Sequence, residues 1–341
     1  MRRQRSPDDV SDVLDIGGTG VVGEDRGAPE PSRRGAAAPG VRGPVVAWVC
    51  VVLAVAGGVA VARAADGAGG VSVAAAVLLG IVEGLTEWLP VSSTGHLMVV
   101  QRLLGISGGA EDTYAIAIQA GAIVAVAWLY PARIVGMARG ALGRDSTGRR
   151  LAVAVIVAAA PAAVVGLAFE DVIMGRLFGP WPVVAAWCTG GLVILVVVRH
   201  RRHRPPDAGA PLTALGWRGA LLIGCAQTLA LWPGVSRSLV TILAATMLGL
   251  TVPAAVEFSF LLGFVTLGGA TLYAIASGGG AVVAAFGLAT PLLGLVVAFV
   301  ASAAAMRWMV GYVSRHGLEV FGWYRILIAA VTAALLTAGW L

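Results

Sequence analysis

Most of the chain beyond residue 44 consists of long apolar stretches separated by short polar segments. A helix crosses a bilayer with about 20 consecutive apolar residues, whereas membrane β-strands are shorter and alternate in polarity. The stretches have the helical length and do not alternate, so the pattern predicts an all-α polytopic membrane protein. Simple spans are expected at residues 114–130, 151–169, 181–198, 256–277, 286–305 and 324–341.

The composition favours lipid rather than water as the surrounding medium. Of the 341 residues 58% are hydrophobic and 12% are charged, and the mean hydropathy is +0.87. The 24 basic residues are all Arg and gather between the apolar stretches, so the net charge of +6 indicates membrane topology rather than nucleic-acid binding. Cys50, Cys188 and Cys225 each stand alone, which argues against a disulfide framework or a zinc site.

The distribution of arginine predicts the direction of the spans. Arginines concentrate in the segments 131–150, 199–218 and 306–325, which are therefore expected on the cytoplasmic side. The connections at 170–180 and 278–285 hold one Arg between them and are expected on the outer side.

The N-terminal part differs in composition from the rest. Residues 1–44 are rich in Gly, Pro, Arg, Asp and Ser and are predicted to be a disordered cytosolic tail. Residues 45–62 are apolar and read either as an extra transmembrane helix or as a cleaved signal sequence, with a linker to residue 70. We favour the uncleaved helix, because multi-span proteins seldom need a leader. The membrane-embedded domain is expected at residues 71–341.

Two segments, 71–106 and 212–250, do not fit as simple spans because Pro90 and Pro233 interrupt them among polar residues. The segments resemble each other at an offset of 144 residues that slips by one at the proline. This similarity predicts an internal repeat, of residues 71–198 and 212–341. The matching pairs are Gly80 and Gly224, Glu83 and Gln227, Trp88 and Trp232, Pro90 and Pro233, and Ser92 and Ser236.

The arginine pattern places the two broken segments on opposite sides of the membrane. The fold expected is therefore an inverted-topology repeat with two re-entrant broken-helix segments. Irregular backbone at that depth occurs where it is buried in protein or lines a cavity, and paired breaks mark a binding site near the midplane.

Two acidic residues precede the first break. Glu83 and Glu87 are four residues apart and share one helix face. Two buried carboxylates repel each other and need a cation, a proton or an arginine, unless they are protonated and only bond neighbouring helices.

Hydroxyl groups and a histidine follow Pro90. Ser92, Ser93 and Thr94 lie at the expected N-terminus of a half-helix, where free N–H groups bind anions or a hydroxyl caps the helix. His96 is close enough along the chain to serve as an acid, a base or a nucleophile.

One arginine follows the second break in an apolar neighbourhood. Arg237 stands between Ser236 and Ser238 at another expected helix N-terminus. It is either a counterion to the glutamates or a phosphate clamp, and the adjacent hydroxyls favour phosphate. Together the two breaks would supply a site for a phosphate ester.

The stretches "GIVEGLTEWLPVSSTGHL" and "LALWPGVSRSLVT" resemble the two signature motifs, E-x-x-x-E and P-G-x-S-R-S-x-x-T, of the undecaprenyl-diphosphate phosphatases, the bacitracin-resistance family. "IQAGAIVAV", "EFSFLL" and "YRILIAA" are also similar to that family. The resemblance covers about residues 71–341, without the N-terminal tail and extra helix. Ala115 stands where some members carry an acid, and this departure lies outside both motifs.

The resemblance implies hydrolysis of undecaprenyl diphosphate to undecaprenyl phosphate, with phosphate released on the outer side of the bacterial plasma membrane. The lipid carrier is thereby recycled for peptidoglycan synthesis, and bacitracin resistance follows. By motif, Glu83 and Glu87 are the acidic pair. The phosphate-binding motif is represented by Arg237 with Ser236, Ser238 and Thr241.

Our hypothesis makes Ser93 the nucleophile and His96 its base or acid. The alternative is His96 as nucleophile, with a phosphohistidine intermediate. Arg237 and the hydroxyls of Ser92, Thr94, Ser236, Ser238 and Thr241 would bind the diphosphate. Glu87, supported by Glu83, would orient water or a divalent cation, Mg²⁺ or Ca²⁺.

Two other functions remain open at this point. A transporter or flippase of a phosphorylated lipid has the same architecture and needs no nucleophile, and a membrane scaffold needs no buried polar residues at all. The partners expected are a polyprenyl diphosphate and membrane lipids, with no nucleic acid. A homodimer is left open.

Overall fold

The computed structural model describes residues 57–60, 62, 72–106, 109–201, 203, 205 and 207–341. Within these residues the chain is helical. It forms no β-sheet there, and its β-type pairing is one isolated bridge between Ala210 and Leu250. The predicted all-α class is confirmed. The α-helices are α1 (Val73–Thr86), α2 (Ser93–Leu104), α3 (Gly109–Leu129), α4 (Pro131–Ala141), α5 (Ser146–Ala168), α6 (Glu170–Leu177), α7 (Pro180–Arg201), α8 (Trp217–Gln227), α9 (Arg237–Met247), α10 (Val252–Phe286), α11 (Ala289–His316) and α12 (Glu319–Thr337).

Five helices of the described part are long and apolar enough to cross a membrane, namely α5, α7, α10, α11 and α12. A sixth candidate is the pair Thr113–Leu129 and Pro131–Ala141, which is bent by 86°. Pro131 begins the second helix of this pair, where its missing N–H costs nothing. The chain is therefore a multi-pass membrane protein. The predicted simple spans fall on these helices except for at most four residues at their ends, whereas the expected connection at 278–285 lies inside α10.

Each predicted broken segment forms two short helices joined by a turn. The first consists of α1 and α2, and the second consists of α8 and α9, with 3₁₀ turns at Leu212–Ala214 and Thr228–Leu231. Neither pair of helices is continuous, because a proline inside each turn cannot donate a helical hydrogen bond.

Corresponding helices of the two repeats make corresponding contacts. Helix α1 packs against α11, and α8 packs against α5. Glycine permits both approaches, because a Cβ at Gly84 would overlap the backbone of Ala298 and one at Gly224 would overlap the backbone of Ala158. Each broken segment therefore rests on a long helix of the other repeat.

The interpretation of one arginine was wrong. Arg325 is one of the arginines in the segment 306–325 that was expected to be a cytoplasmic connection, but it lies inside α12 and is fully buried. The connection between α11 and α12 is only two residues, Gly317 and Leu318. Of the predicted tail and extra helix, residues 1–56 lie outside the described residues, and 57–60 and 62 are helical.

Candidate active site

The first break runs from Glu87 to Ser92 between α1 and α2. Trp88 is fully buried, and its indole Nε1 donates to the carbonyl of Ala122 at 3.1 Å. Ser92 has φ 73°, a conformation that residues other than glycine rarely adopt. The turn is thereby anchored on α3 and delivers Ser93 to the first position of α2.

The second break has the same construction. Trp232 donates from Nε1 to the carbonyl of Pro182 at 3.2 Å. Ser236 has φ 76°, and Arg237 takes the first position of α9. Ser92 and Ser236 are the two residues other than glycine with positive φ in the described part of the chain. The two turns therefore have the same backbone feature at equivalent positions, as the predicted internal repeat implies.

Two side chains tie the turns together. Ser238 Oγ on α9 donates to the carbonyl of Leu89 in the first turn at 2.8 Å. Arg325 on α12 donates from Nη1 to Pro90 O at 3.3 Å and from Nη2 to Gly234 O at 2.8 Å. These two carbonyls are 144 positions apart, which is the offset of the repeat. Arg325 thus holds equivalent points of both breaks.

The centre of the site is a contact between the two breaks. Glu87 Oε1 pairs with Arg237 Nη2 at 3.0 Å, and Glu87 Oε2 accepts from Ser93 Oγ at 2.5 Å. All three side chains are largely buried, so the ion pair is poorly screened. The acid, the hydroxyl and the guanidinium that the sequence predicted for one site are therefore in direct contact.

Further contacts fix the guanidinium of Arg237. Nη1 donates to Ser259 O at 2.7 Å, and the group lies 4.7 Å from the ring centroid of Trp88. Gly263 on α10 leaves room for it, because an added Cβ there would overlap Nη1, Cζ and Nη2. The planar group is thus held by a carboxylate, a carbonyl and an aromatic face, as suits phosphate recognition.

Glu83 lies one turn before Glu87 and is 1% exposed. Its Oε1 atom is buried without a hydrogen-bond partner, and its carboxyl interacts electrostatically with Glu87 and Arg237. Mg²⁺ is usually bound by one or two carboxylates together with substrate phosphates and water. The unpartnered oxygen and the pair of carboxyls fit such a cation, although the described residues include no cluster of three or more His, Cys, Asp or Glu.

His96 does not contact Ser93 in this arrangement. Its Nδ1 lies 2.6 Å from Ser92 O, and its Nε2 lies 2.7 Å from the hydroxyl of Tyr324. An Nδ1–H donor and an Nε2 acceptor satisfy both contacts. In this structure His96 is hydrogen-bonded to the backbone carbonyl of Ser92, and the hydroxyl of Ser93 contacts Glu87 instead.

The predicted binding residues divide into two groups. Ser236 and Ser238 lie 3.0 Å apart between their Oγ atoms, and Thr241 Oγ1 lies 2.7 Å from Ser259 Oγ next to Arg237. Ser92 is buried in the first turn, whereas Thr94 is exposed. The hydroxyls of the second motif therefore form one connected cluster.

Sequence reasoning missed four side chains of the site, on α3, α10 and α12. Gln119 donates to Glu87 Oε2 at 3.4 Å and accepts from Thr271 Oγ1 at 3.1 Å. The others are Ser259, Tyr324 and Arg325. All lie within the stretches "IQAGAIVAV", "EFSFLL" and "YRILIAA", so the polar residues inside these apolar stretches were the available signal.

Comparison with known proteins identifies the family. The family model described as "Bacitracin resistance protein BacA" matches residues 76–331, which include both breaks and Arg325. The chain belongs to the BacA family. BacA relatives named "Undecaprenyl-diphosphatase" occur in Sorangium cellulosum, 45% identical over 75% of this chain and 84% of the relative, and in Parvibaculum lavamentivorans, 41% identical over 75% and 94%. "Undecaprenyl-diphosphatase 1" of Burkholderia ambifaria is 42% identical over 78% of this chain and 96% of the relative.

Proposed function

We propose that this protein hydrolyses undecaprenyl diphosphate to undecaprenyl phosphate and inorganic phosphate, which returns the lipid carrier to cell-wall synthesis and gives bacitracin resistance. The observation that carries the proposal is the contact of Ser93, Glu87 and Arg237 where the two breaks meet. The names of the BacA relatives state this activity. The lipid tail would lie among the membrane-spanning helices.

The contacts support a mechanism in which Ser93 is the nucleophile and Glu87 its base. Ser93 Oγ bonds to the terminal phosphorus while the bond from that phosphorus to the bridging oxygen breaks, and the serine proton passes to Glu87. Glu87 passes this proton to the bridging oxygen of the leaving undecaprenyl phosphate and is again a carboxylate. Water then attacks the phosphoserine and gives a proton to Glu87 while the bond from phosphorus to Ser93 Oγ breaks. Glu87 returns that proton to Ser93 Oγ, and phosphate is released.

Arg237 contributes by neutralising charge on the phosphoryl oxygens, together with the N-terminal N–H groups of α2 and α9. A divalent cation, when bound, would be held by Glu83 and Glu87 and would neutralise phosphate charge. His96 keeps the Ser92 carbonyl in place, so that Ser93 presents its hydroxyl to Glu87.

We further propose that the site opens to the outer side of the plasma membrane and that the N-terminal tail is cytoplasmic. The support is the placement of arginine, which concentrates in the segments 131–150, 199–218 and 306–325 that are expected on the cytoplasmic side. A homodimer stays a prediction.

The test is phosphate release from undecaprenyl diphosphate by the purified chain in detergent, with and without a chelator. Wild type is expected to release phosphate, and Ser93→Ala is not. Acid quenching during turnover should trap phosphate on the peptide that contains Ser93. Release without such an adduct would replace the serine mechanism by direct attack of water, and no release by folded wild type would favour the lipid transporter.

A further inference from the structure

A second cationic cavity lies away from the two breaks. It has a volume of about 520 Å³ and is formed by the C-terminal ends of α7, α9 and α11 and the N-terminal ends of α10 and α12. Its basic lining residues are Arg201, His203, Arg315 and His316, and Glu319 is the acid among the residues that line it. None of the residues of the catalytic contact lines it.

The convergence of these basic groups needs the tertiary fold. Arg201 ends α7 and His203 follows it, whereas Arg315 and His316 end α11, more than 100 positions later. Topology and the helix dipole explain why arginine is common at such helix ends. They do not explain why residues of two separate connections surround one cavity.

The cavity also has apolar lining residues. These are Val197 and Val198 of α7, Leu243 of α9, Val252 of α10, and Leu318. A cavity lined by both cationic and apolar residues is complementary to an amphiphile that carries an anionic group. An inorganic anion alone would use the arginines and leave the apolar residues in contact with water.

The cavity also borders the helix that carries Arg237. Arg201 Nη1 donates to the carbonyl of Thr246 at 2.5 Å, in the last turn of α9. Arg201 thereby links the cavity to the C-terminal turn of α9. A ligand held here would contact the far end of α9, where Thr246 is about 14 Å from Arg237 at 1.5 Å per residue.

We propose that this cavity binds the phosphate headgroup of an anionic membrane lipid on the arginine-rich face of the protein. Arg315 would contact the phosphate, with the charge of Arg201 close by, and the acyl chains would lie along the valines and Leu318. The ligand is distinct from the lipid that is hydrolysed. Basic cavities between helix ends are a recognised type of lipid headgroup site.

The test is native mass spectrometry of the detergent-purified full chain with phosphatidylglycerol, with phosphatidylcholine as the zwitterionic control. Arg315→Gln removes one exposed cation from the cavity, and Arg144→Gln removes an exposed cation from another connection. Wild type and Arg144→Gln should retain phosphatidylglycerol equally. Arg315→Gln should bind it about fivefold more weakly, as expected for one arginine near an anionic lipid, and Arg315→Glu should bind it more weakly still.

Three results would overturn the proposal. Equal loss in Arg315→Gln and Arg144→Gln would mean that the whole face attracts anionic lipid. Equal retention of phosphatidylcholine would mean that the apolar residues alone bind lipid. If inorganic phosphate without lipid stabilises wild type but not Arg315→Gln against thermal unfolding, the site is one for a free anion. Phosphate release by Arg315→Gln is measured separately, so failure of this proposal leaves the phosphatase activity untouched.

Discussion

The turns of the two breaks have similar backbone conformations, but the first carries an acidic side chain, Glu87, and the second a basic one, Arg237. In each, a tryptophan indole donates to a carbonyl of another helix, and a serine with φ of 73° or 76° precedes a new half-helix. The side chains differ at the positions that matter for chemistry. Glu87 corresponds to Leu231 at the offset of 144, and Ser93 corresponds to Arg237.

The backbone of the two breaks is common to both repeats, whereas the side chains that serve the chemistry differ between them. The repeat provides two half-helix N-termini that face one another. The first break then carries the acid and the nucleophile, whereas the second carries the cation. The same logic extends to the surrounding helices, because Gln119 contacts Glu87 while its counterpart Gly263 leaves space for Arg237.

The largest effect is expected from the nucleophile of the first break. Ser93→Ala should lower phosphate release by roughly 10³-fold or more, because no other hydroxyl in the described structure contacts Glu87. An exposed serine outside both breaks is the matched control, since Ser277 bonds only to its own helix and Ser277→Ala should change the rate by less than about threefold. Comparable losses in both variants would contradict the assignment of Ser93.

The space beside Arg237 should be the next most sensitive feature. Gly263→Ala places a methyl group on the guanidinium and should lower the rate by about 10²-fold, because displacing a charged group by about 1 Å costs that much. Gly268→Ala on the same helix meets nothing within 4 Å and should be neutral. Steady-state kinetics of both variants check this, and full activity of Gly263→Ala would show that Arg237 can shift without loss.

The arginine between the breaks tests whether their alignment matters. Arg325→Lys cannot reach Pro90 O, Ala186 O and Gly234 O together and should lower kcat by about 30-fold with little change in KM. Arg307→Lys changes an arginine that lies over Trp128 and should leave kcat unchanged. A lower thermal midpoint with wild-type kcat would make Arg325 purely structural.

The smallest expected effect is a difference in stability between glycine variants of the two serines with positive φ. Ser236 Oγ accepts from Leu239 N at 3.3 Å, whereas Ser92 caps nothing through its side chain. The Ser92→Gly variant should therefore have a free energy of unfolding equal to or higher than that of wild type. The Ser236→Gly variant should be less stable than Ser92→Gly by about 0.5–1 kcal/mol. Denaturant unfolding in micelles gives both values, and the reverse order would refute this reading of the caps.

The sequence predicted the breaks well because proline and clustered polar residues are conspicuous in apolar stretches. Ser93, Glu87 and Arg237 all lie beside those prolines. The supporting contacts could not be predicted in the same way, because Gln119, Ser259 and Tyr324 reach the site from helices distant along the chain. Arg325 was mistaken for a loop residue since it stands only eight positions after Gly317, and only the fold shows it buried.

The most direct test of the central claim compares the two glutamate–arginine pairs of the described structure. Arg237 pairs with Glu87 between the breaks, and Arg133 pairs with Glu257 at 2.6 Å away from them. Phosphate release from undecaprenyl diphosphate should fall by roughly 10²–10³-fold in Arg237→Ala and by less than about threefold in Arg133→Ala. Equal activity of the two folded variants would contradict a diphosphate site built from both breaks.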